Sequence, residues 1–317
     1  MIRKETGRIF RGIAILVVIA SHYAEWMYVT PVHPNAAHAV STWGPMGVDV
    51  FFLLSGYGLY VSQKKGGVDF CFIKNRLLGA YLPYLLLVFL INIYSGFWKE
   101  VNAERILTYL TASDYWYMNV LLVFYILFML CFRFGKRLRI PLFSIALIAY
   151  SVYLFKSGHR DFWTLSNPSF LLGVYAGVAE EHIPAFSTRK SKVVLLLCGC
   201  VGCALAFMWM QKLGGSGLEE SYVAELVLNL FLAIFIFALM ALLPCFQPLL
   251  LGVLGECSLF IYLLHTVAFY AIILKLPEHW PYAQSAMITA ALTLLMAVFI
   301  GKVYYMVSGR LSHHEKK

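Results

Sequence analysis

Charge is what this chain has least of. Only 13% of its 317 residues are Asp, Glu, Lys or Arg, about half the share usual in a soluble domain, while 61% are hydrophobic and the mean hydropathy is +0.75. A water-soluble fold of this length has too little interior to hide so much apolar surface, which excludes soluble enzymes and soluble binding modules. Polar linkers, internal repeats and low-complexity stretches are also missing, so one helical domain over residues 1–317 is expected. The first apolar run lacks a small-residue cleavage site and is read as a retained span rather than a leader.

Paired cysteines and metal-ligand sets are scarce as well. The seven cysteines, at positions 71, 131, 198, 200, 203, 245 and 257, are odd in number and lie in or beside apolar runs, which argues against a disulfide framework. Cys198, Cys200 and Cys203 fall close together but lack a fourth ligand and a polar surround, so they read as small packing residues rather than a zinc site. His33 and His38 stand in a loop without a carboxylate or thiol beside them, and His313 and His314 read as a solvated tail. No metal is expected.

What is present is apolar sequence in membrane-length runs. A helix needs about twenty apolar residues to cross the hydrocarbon core, and that window gives ten candidates, beginning near residues 9, 44, 77, 117, 140, 163, 193, 222, 257 and 283. The expectation is an all-α polytopic membrane protein of about ten transmembrane helices. The net charge of +9 comes from short basic clusters between these runs, not from one basic face, so nucleic acid is not an expected partner and membrane lipids are. With the N-terminus inside, the clusters alternate as the positive-inside rule requires. Inner segments then hold Arg3, Lys4 and Arg8; Lys64, Lys65, Lys74 and Arg76; Arg133, Lys136, Arg137 and Arg139; Arg189, Lys190 and Lys192; and Arg310, Lys316 and Lys317. Outer segments hold Lys99, Arg105, Lys156, Arg160, Lys212 and Lys275, the stretch from Pro244 to Glu256 reads as an inner loop, and both termini are cytosolic.

Polar residues inside such runs are expensive, about 2.5–3.5 kcal/mol for an ionised group at the centre of a span. The first run holds Arg11, His22 and Glu25. Arg11 and His22 are about three turns and about 16 Å apart on one face of a helix, and Glu25 lies one turn beyond His22, within reach to orient its imidazole. Taken singly, each has an ordinary reading: Arg11 snorkelling inward, His22 bonding a neighbouring helix, Glu25 reaching the outer headgroups. Together on one face they point to a functional groove. In the second run Asp49 precedes two phenylalanines and shares a face with Gly56; a glycine packing seam with Asp49 capping the helix start is the competing reading. Ser258, Tyr262 and His265 fall at helical spacings, but no G-x-S-x-G turn surrounds Ser258, so interhelical hydrogen bonding is favoured over a serine-hydrolase triad.

These residues stand in ordered segments: Arg11 to Val18 followed by His22; Gly47-Val48-Asp49-Val50-Phe51-Phe52-Leu53-Leu54-Ser55-Gly56-Tyr57; Arg76 to Pro83; Tyr115-Trp116-Tyr117 with Tyr125; Leu172-Gly173; and Ser258 to His265. In them the chain resembles the acyltransferase-3 family of bacterial integral membrane acyltransferases. The family's arginine and histidine with ten residues between them match Arg11 and His22, and its G-V-D-x-F-F-x-x-S-G segment matches Gly47 to Gly56. The family's basic R-R-x-x-R cluster is represented only by Lys74 and Arg76. No hydrolase-like domain follows the spans, so the resemblance is to the stand-alone form.

The resemblance implies an enzyme of the bacterial cytoplasmic membrane that takes an acyl group, often acetyl, from acyl-CoA as co-substrate, with no permanently bound cofactor. The acceptor it implies is a hydroxyl of a lipid-linked or extracytoplasmic glycan. Arg11, Lys74 and Arg76 would meet the phosphates of CoA. His22 would serve as base or transient acyl carrier, tuned by Glu25 or Asp49, and Ser55, Tyr57 or Tyr262, with His265 nearby, would supply the oxyanion donor. Intramembrane charge also suits a polysaccharide or solute transporter, which predicts paired broken helices. A scaffold subunit with a degenerate site is the third reading.

Overall fold

The computed structural model describes residues 2–26, 40–159, 163–213, 218–243, 248–272 and 281–309, and among them the chain is helical with no strand. His33, His38, Arg160, Cys245, Lys275, Arg310, His313, His314, Lys316 and Lys317 lie outside the described residues. The elements run α1 (Lys4–Trp26), α2 (Gly44–Gly66), α3 (Phe70–Ser95), α4 (Ala103–Thr111), α5 (Trp116–Phe134) and α6 (Arg139–Lys156). They continue through α7 (Asn167–His182), α8 (Arg189–Leu213), α9 (Leu218–Leu242), α10 (Leu249–Glu256), α11 (Ser258–Ile272) and α12 (Tyr282–Val307). Their starts follow local chemistry. Asp69 accepts the Phe72 N–H at 2.7 Å to cap α3, Asn102 accepts the Arg105 N–H at 2.8 Å to cap α4, and prolines occupy the first turns of α2 and α7.

Seven of these helices are long and apolar enough to cross a membrane, and α10 with α11, bent by 77° at their junction, makes an eighth if the pair is one span. This is a multi-pass membrane protein. The ten expected starts each coincide with a helix, but α2 and α7 fall below the span criterion. α7 has only 16 residues, and α2 carries Asp49, five glycines and a Lys64-Lys65 end. Both are inner helices packed on one another, so neither needs a fully apolar surface. A second correction concerns the stretch read as an inner loop up to Glu256: residues Leu249–Glu256 form α10, which packs along α1.

Lipid tails are as apolar as leucine, so these helices associate through close packing rather than through water exclusion. Two crossings bring backbones into contact. A Cβ on Gly12 would meet the Leu251 carbonyl and one on Gly255 would meet the Arg8 carbonyl, which locks α1 to α10. A Cβ on Gly56 would meet the Phe170 carbonyl and one on Gly173 the Leu53 carbonyl, which locks α2 to α7. Residues such as Leu197, Leu205, Leu295 and Phe299 cover the outward faces of α8 and α12.

Basic helix ends gather on one side of the bundle. The Ile2 N–H donates to Tyr57 Oη at 3.1 Å, joining the start of α1 to the second half of α2, and Tyr304 Oη donates to the Leu78 carbonyl at 2.6 Å, joining the last turns of α12 to the first half of α3. Arg3, Arg189 and Lys192 line one open cavity with the end of α9. At the opposite end Ser21 Oγ accepts the Gly44 N–H at 3.0 Å and donates to the Ser41 carbonyl at 2.6 Å, so α1 caps the start of α2.

Candidate functional site

α1 is the axis of the site. It is flanked by α2, α10 and α11, and its polar residues occupy the face turned toward α11 and α5. His22 Nδ1 lies 2.7 Å from His265 Nε2, with the two rings stacked at 4.9 Å between centroids. His265 is buried, its Nδ1 lies 2.6 Å from the Tyr262 carbonyl one turn back on α11, and Thr266 Oγ1 is 3.4 Å from its Nε2. Trp26 stands over both imidazoles at 5.6 and 6.2 Å and is held by Phe269 at 4.0 Å. The bend between α10 and α11 produces this meeting: α10 lies against the first half of α1, and after the turn α11 carries His265 to the second half. Tyr282 Oη, donating to the Tyr23 carbonyl at 2.8 Å, ties α12 to α1 beside His22.

Arg11 lies toward the other end of the same face. It is half-buried, and its one hydrogen bond among the described residues runs from Nε to the Gly7 carbonyl at 3.4 Å. Around the guanidinium stand Tyr305, Tyr117 and Tyr125, with Arg8 as a second cation. Ser55 lies beside the Tyr117 hydroxyl, and the Tyr262 hydroxyl lies near the Tyr117 backbone at the first turn of α5. Ring contacts run from Tyr117 to Tyr262 at 5.2 Å, from Tyr262 to His265 at 5.8 Å, and on to His22. One aromatic wall therefore connects the arginine to the histidine.

The structure brings together Arg11, His22, Ser55, Tyr262 and His265, and it sends the other expected residues elsewhere. Glu25 is exposed, and the partner that orients His22 is His265. Asp49 is fully buried but faces α7, where Ser169 Oγ donates to its Oδ1 at 2.6 Å and Ser166 lies beside it; Trp43, not Asp49, is the N-cap of α2. Tyr57 donates to Glu180 Oε2 at 2.7 Å, so its hydroxyl is committed to a clamp at the helix ends. Lys74 is exposed, and the Arg76 guanidinium lies 4.8 Å over the Phe72 ring. Both sit just before Leu78, which Tyr304 links to α12; the next residue, Tyr305, faces Arg11. Ser258 Oγ donates to the Gly255 carbonyl at 3.0 Å, so it closes the α10–α11 bend rather than pairing with His265.

Tyr117, Tyr125 and Tyr305 are the members that residue spacing did not single out. The first two lie in segments that carry the resemblance, whereas Tyr305 had no local signal. Neither a curated protein nor a solved structure matches the chain. The family model for the acyltransferase-3 domain, described as an acyltransferase domain, matches residues 8–306 and so takes in every helix that builds the site. With that match laid over a multi-pass helical bundle, the chain belongs to the acyltransferase-3 family and is a membrane-bound acyltransferase.

Proposed function

We propose that this protein transfers an acetyl group from acetyl-CoA to a hydroxyl of a lipid-linked or extracytoplasmic glycan, in the cytoplasmic membrane of a bacterium. The observation that carries the reading is the polar face of α1, with a half-buried arginine and a histidine at opposite ends of one aromatic wall. Among the described residues no carboxylate pairs with Arg11, and an arginine inside a bundle is costly unless an anion meets it; phosphate oxygens match its fork. Counting α2, α7 and the bent pair α10–α11 as spans gives ten crossings. The alternation of basic residues then puts both termini in the cytosol, with Arg11 toward the inner side and His22 further out.

In this reading Arg11 receives CoA phosphates, aided by Lys74 and Arg76 near the same end, and the pantetheine arm carries the thioester along the wall toward His22. His22 takes the acceptor hydroxyl's proton as the oxygen attacks the thioester carbonyl. The carbon–sulfur bond then breaks, and the imidazolium returns the proton to the departing thiolate, leaving the ester and CoA. An acyl-histidine that the acceptor subsequently attacks uses the same ring nitrogen. Of the three oxyanion donors expected from sequence, Tyr262 fits best: Tyr57 donates to Glu180, whereas Tyr262 lines the wall between Tyr117 and His265.

Transport remains the competing reading on one feature, the break between α10 and α11. A transporter built from repeats predicts a second broken helix in a matching position. Among the described residues the bent pair has no such counterpart.

The test is acetyl transfer from radiolabelled acetyl-CoA to mixed membrane glycolipids by purified protein in nanodiscs. Wild type is expected to label glycolipid, and His22→Ala to fall by at least about 10³-fold. Equal labelling by the two proteins removes His22 from the chemistry. No labelling and no acetyl-CoA binding by wild type removes the reading.

A further inference from the structure

We infer that His265 sets the tautomer of His22, holding the proton on Nδ1 and leaving Nε2 as the nitrogen that reacts; this rests on the function proposed above. The argument begins at a carbonyl. The Tyr262 oxygen has only lone pairs, so His265 Nδ1, 2.6 Å away, must carry the hydrogen of that contact. A neutral imidazole has one N–H, and no carboxylate bonds either ring among the described residues. His265 Nε2 is therefore a lone pair. Thr266 Oγ1, 3.4 Å from that nitrogen, is a hydroxyl able to donate to it.

His265 Nε2 lies 2.7 Å from His22 Nδ1, and two lone pairs do not face each other at that distance. His22 Nδ1 thus carries the hydrogen, and its Nε2 is bare. The order of donation is His22 to His265 to the Tyr262 carbonyl, a chain anchored on the backbone of α11. His265 occupies the place that a carboxylate holds in a serine-hydrolase triad, where the hydrogen bond at one ring nitrogen fixes which other nitrogen is the base. It does so without a formal charge, which suits an apolar membrane interior.

The consequence reaches both versions of the chemistry. As a base, His22 Nε2 accepts the hydroxyl proton; as a carrier, the same lone pair attacks the thioester carbon. In each case positive charge builds on the His22 ring, and the Nδ1–H bond to His265 strengthens as it does, so the contact favours the transition state over the ground state. His265 is a positioning residue, since it acts only through His22.

The experiment is nitrogen NMR of the full chain labelled with ¹⁵N-histidine in nanodiscs, with His22 assigned by its loss in His22→Gln, alongside kinetics of His265→Ala and His265→Gln. Wild-type His22 is expected as the Nδ1–H tautomer, and His265→Ala is expected to lose that preference. Turnover should fall by about 10²–10⁴-fold in His265→Ala with the KM for acetyl-CoA within about twofold, and His265→Gln, which keeps an acceptor and a donor, should recover part of the loss. An Nε2–H tautomer at His22 in wild type, or unchanged turnover in His265→Ala, overturns the inference. Should His265→Ala fail to insert, the wild-type spectrum and His265→Gln still decide. Wild type with the expected tautomer but no acetyl transfer overturns the function and leaves the proton chain standing.

Discussion

α1 and α8 are both long and apolar enough to cross a membrane, yet half of the apolar window of α1 is buried against 17% for α8. α8 leans chiefly on α9, with Gly199 and Gly202 against Phe235 and Phe231, and elsewhere presents Leu197, Val201 and Leu205 outward. α1 touches α2, α10 and α11, and its inward face carries the arginine and the histidine. Such residues are tolerable only where neighbouring helices replace lipid, so the enclosure that makes α1 structurally central is also what lets it carry them. The sharpest way to break this comparison is to remove the cation from the inner helix. Arg11→Gln should raise the KM for acetyl-CoA about 10- to 100-fold, the loss expected for charge-assisted hydrogen bonds worth about 1.5–3 kcal/mol, while Arg11→Lys keeps the charge and should lose less. The check is steady-state kinetics in nanodiscs across acetyl-CoA concentrations; an unchanged KM in Arg11→Gln would remove the arginine from the donor site.

The same contrast explains what could be read from sequence. Hydropathy placed an expected span within every long helix because each span must be apolar somewhere, whatever it packs against, though the one expected from 77 lies in a helix that already begins at Phe70. It could not say which spans are inner. α2 and α7 show why: being short or polar marks a helix as sheltered only after its neighbours are known. Arg11 and His22 were legible as one face because their relation is local, fixed by the helical repeat. The His22–His265 pair was not, since 243 positions separate the partners and only the bend after α10 brings them together. Glu25 was a candidate orienter for the same reason: it is near in sequence, whereas the ring that contacts His22 is near only in space. Asp49 followed suit, drawn to the site by its motif and turned by its helix toward Ser169.

A second test compares two glycines on one inner helix. Gly56 and Gly58 are two residues apart on α2, but a methyl at position 56 meets the Phe170 carbonyl, whereas one at position 58 meets nothing within 4 Å. Gly56→Ala must separate α2 from α7 or shift a backbone, an overpacking that costs about 1–3 kcal/mol, and Gly58→Ala should be neutral or slightly stabilising through helix propensity. Thermal unfolding of the two variants in detergent should therefore diverge, with only Gly56→Ala melting early. Equal melting would mean that the α2–α7 crossing is looser than its contacts imply.

The smallest effect belongs to the outer helix, and it sharpens the comparison from the other side. Leu205 on α8 is 57% exposed, whereas Phe128 on α5 is fully buried between Phe72, Phe132 and Phe143. Truncating Phe128 to alanine opens a cavity that helices cannot fill without moving, at about 3–5 kcal/mol. Truncating Leu205 exchanges side-chain carbon for lipid carbon, and because there is no water to exclude on that face the change should stay within about 0.5 kcal/mol. Acetyl transfer and melting measured on Leu205→Ala should match wild type, while Phe128→Ala should melt early. A large loss in Leu205→Ala would show that the outward face of α8 is covered by something other than lipid, and the division between enclosed and lipid-facing helices would have to be redrawn around it.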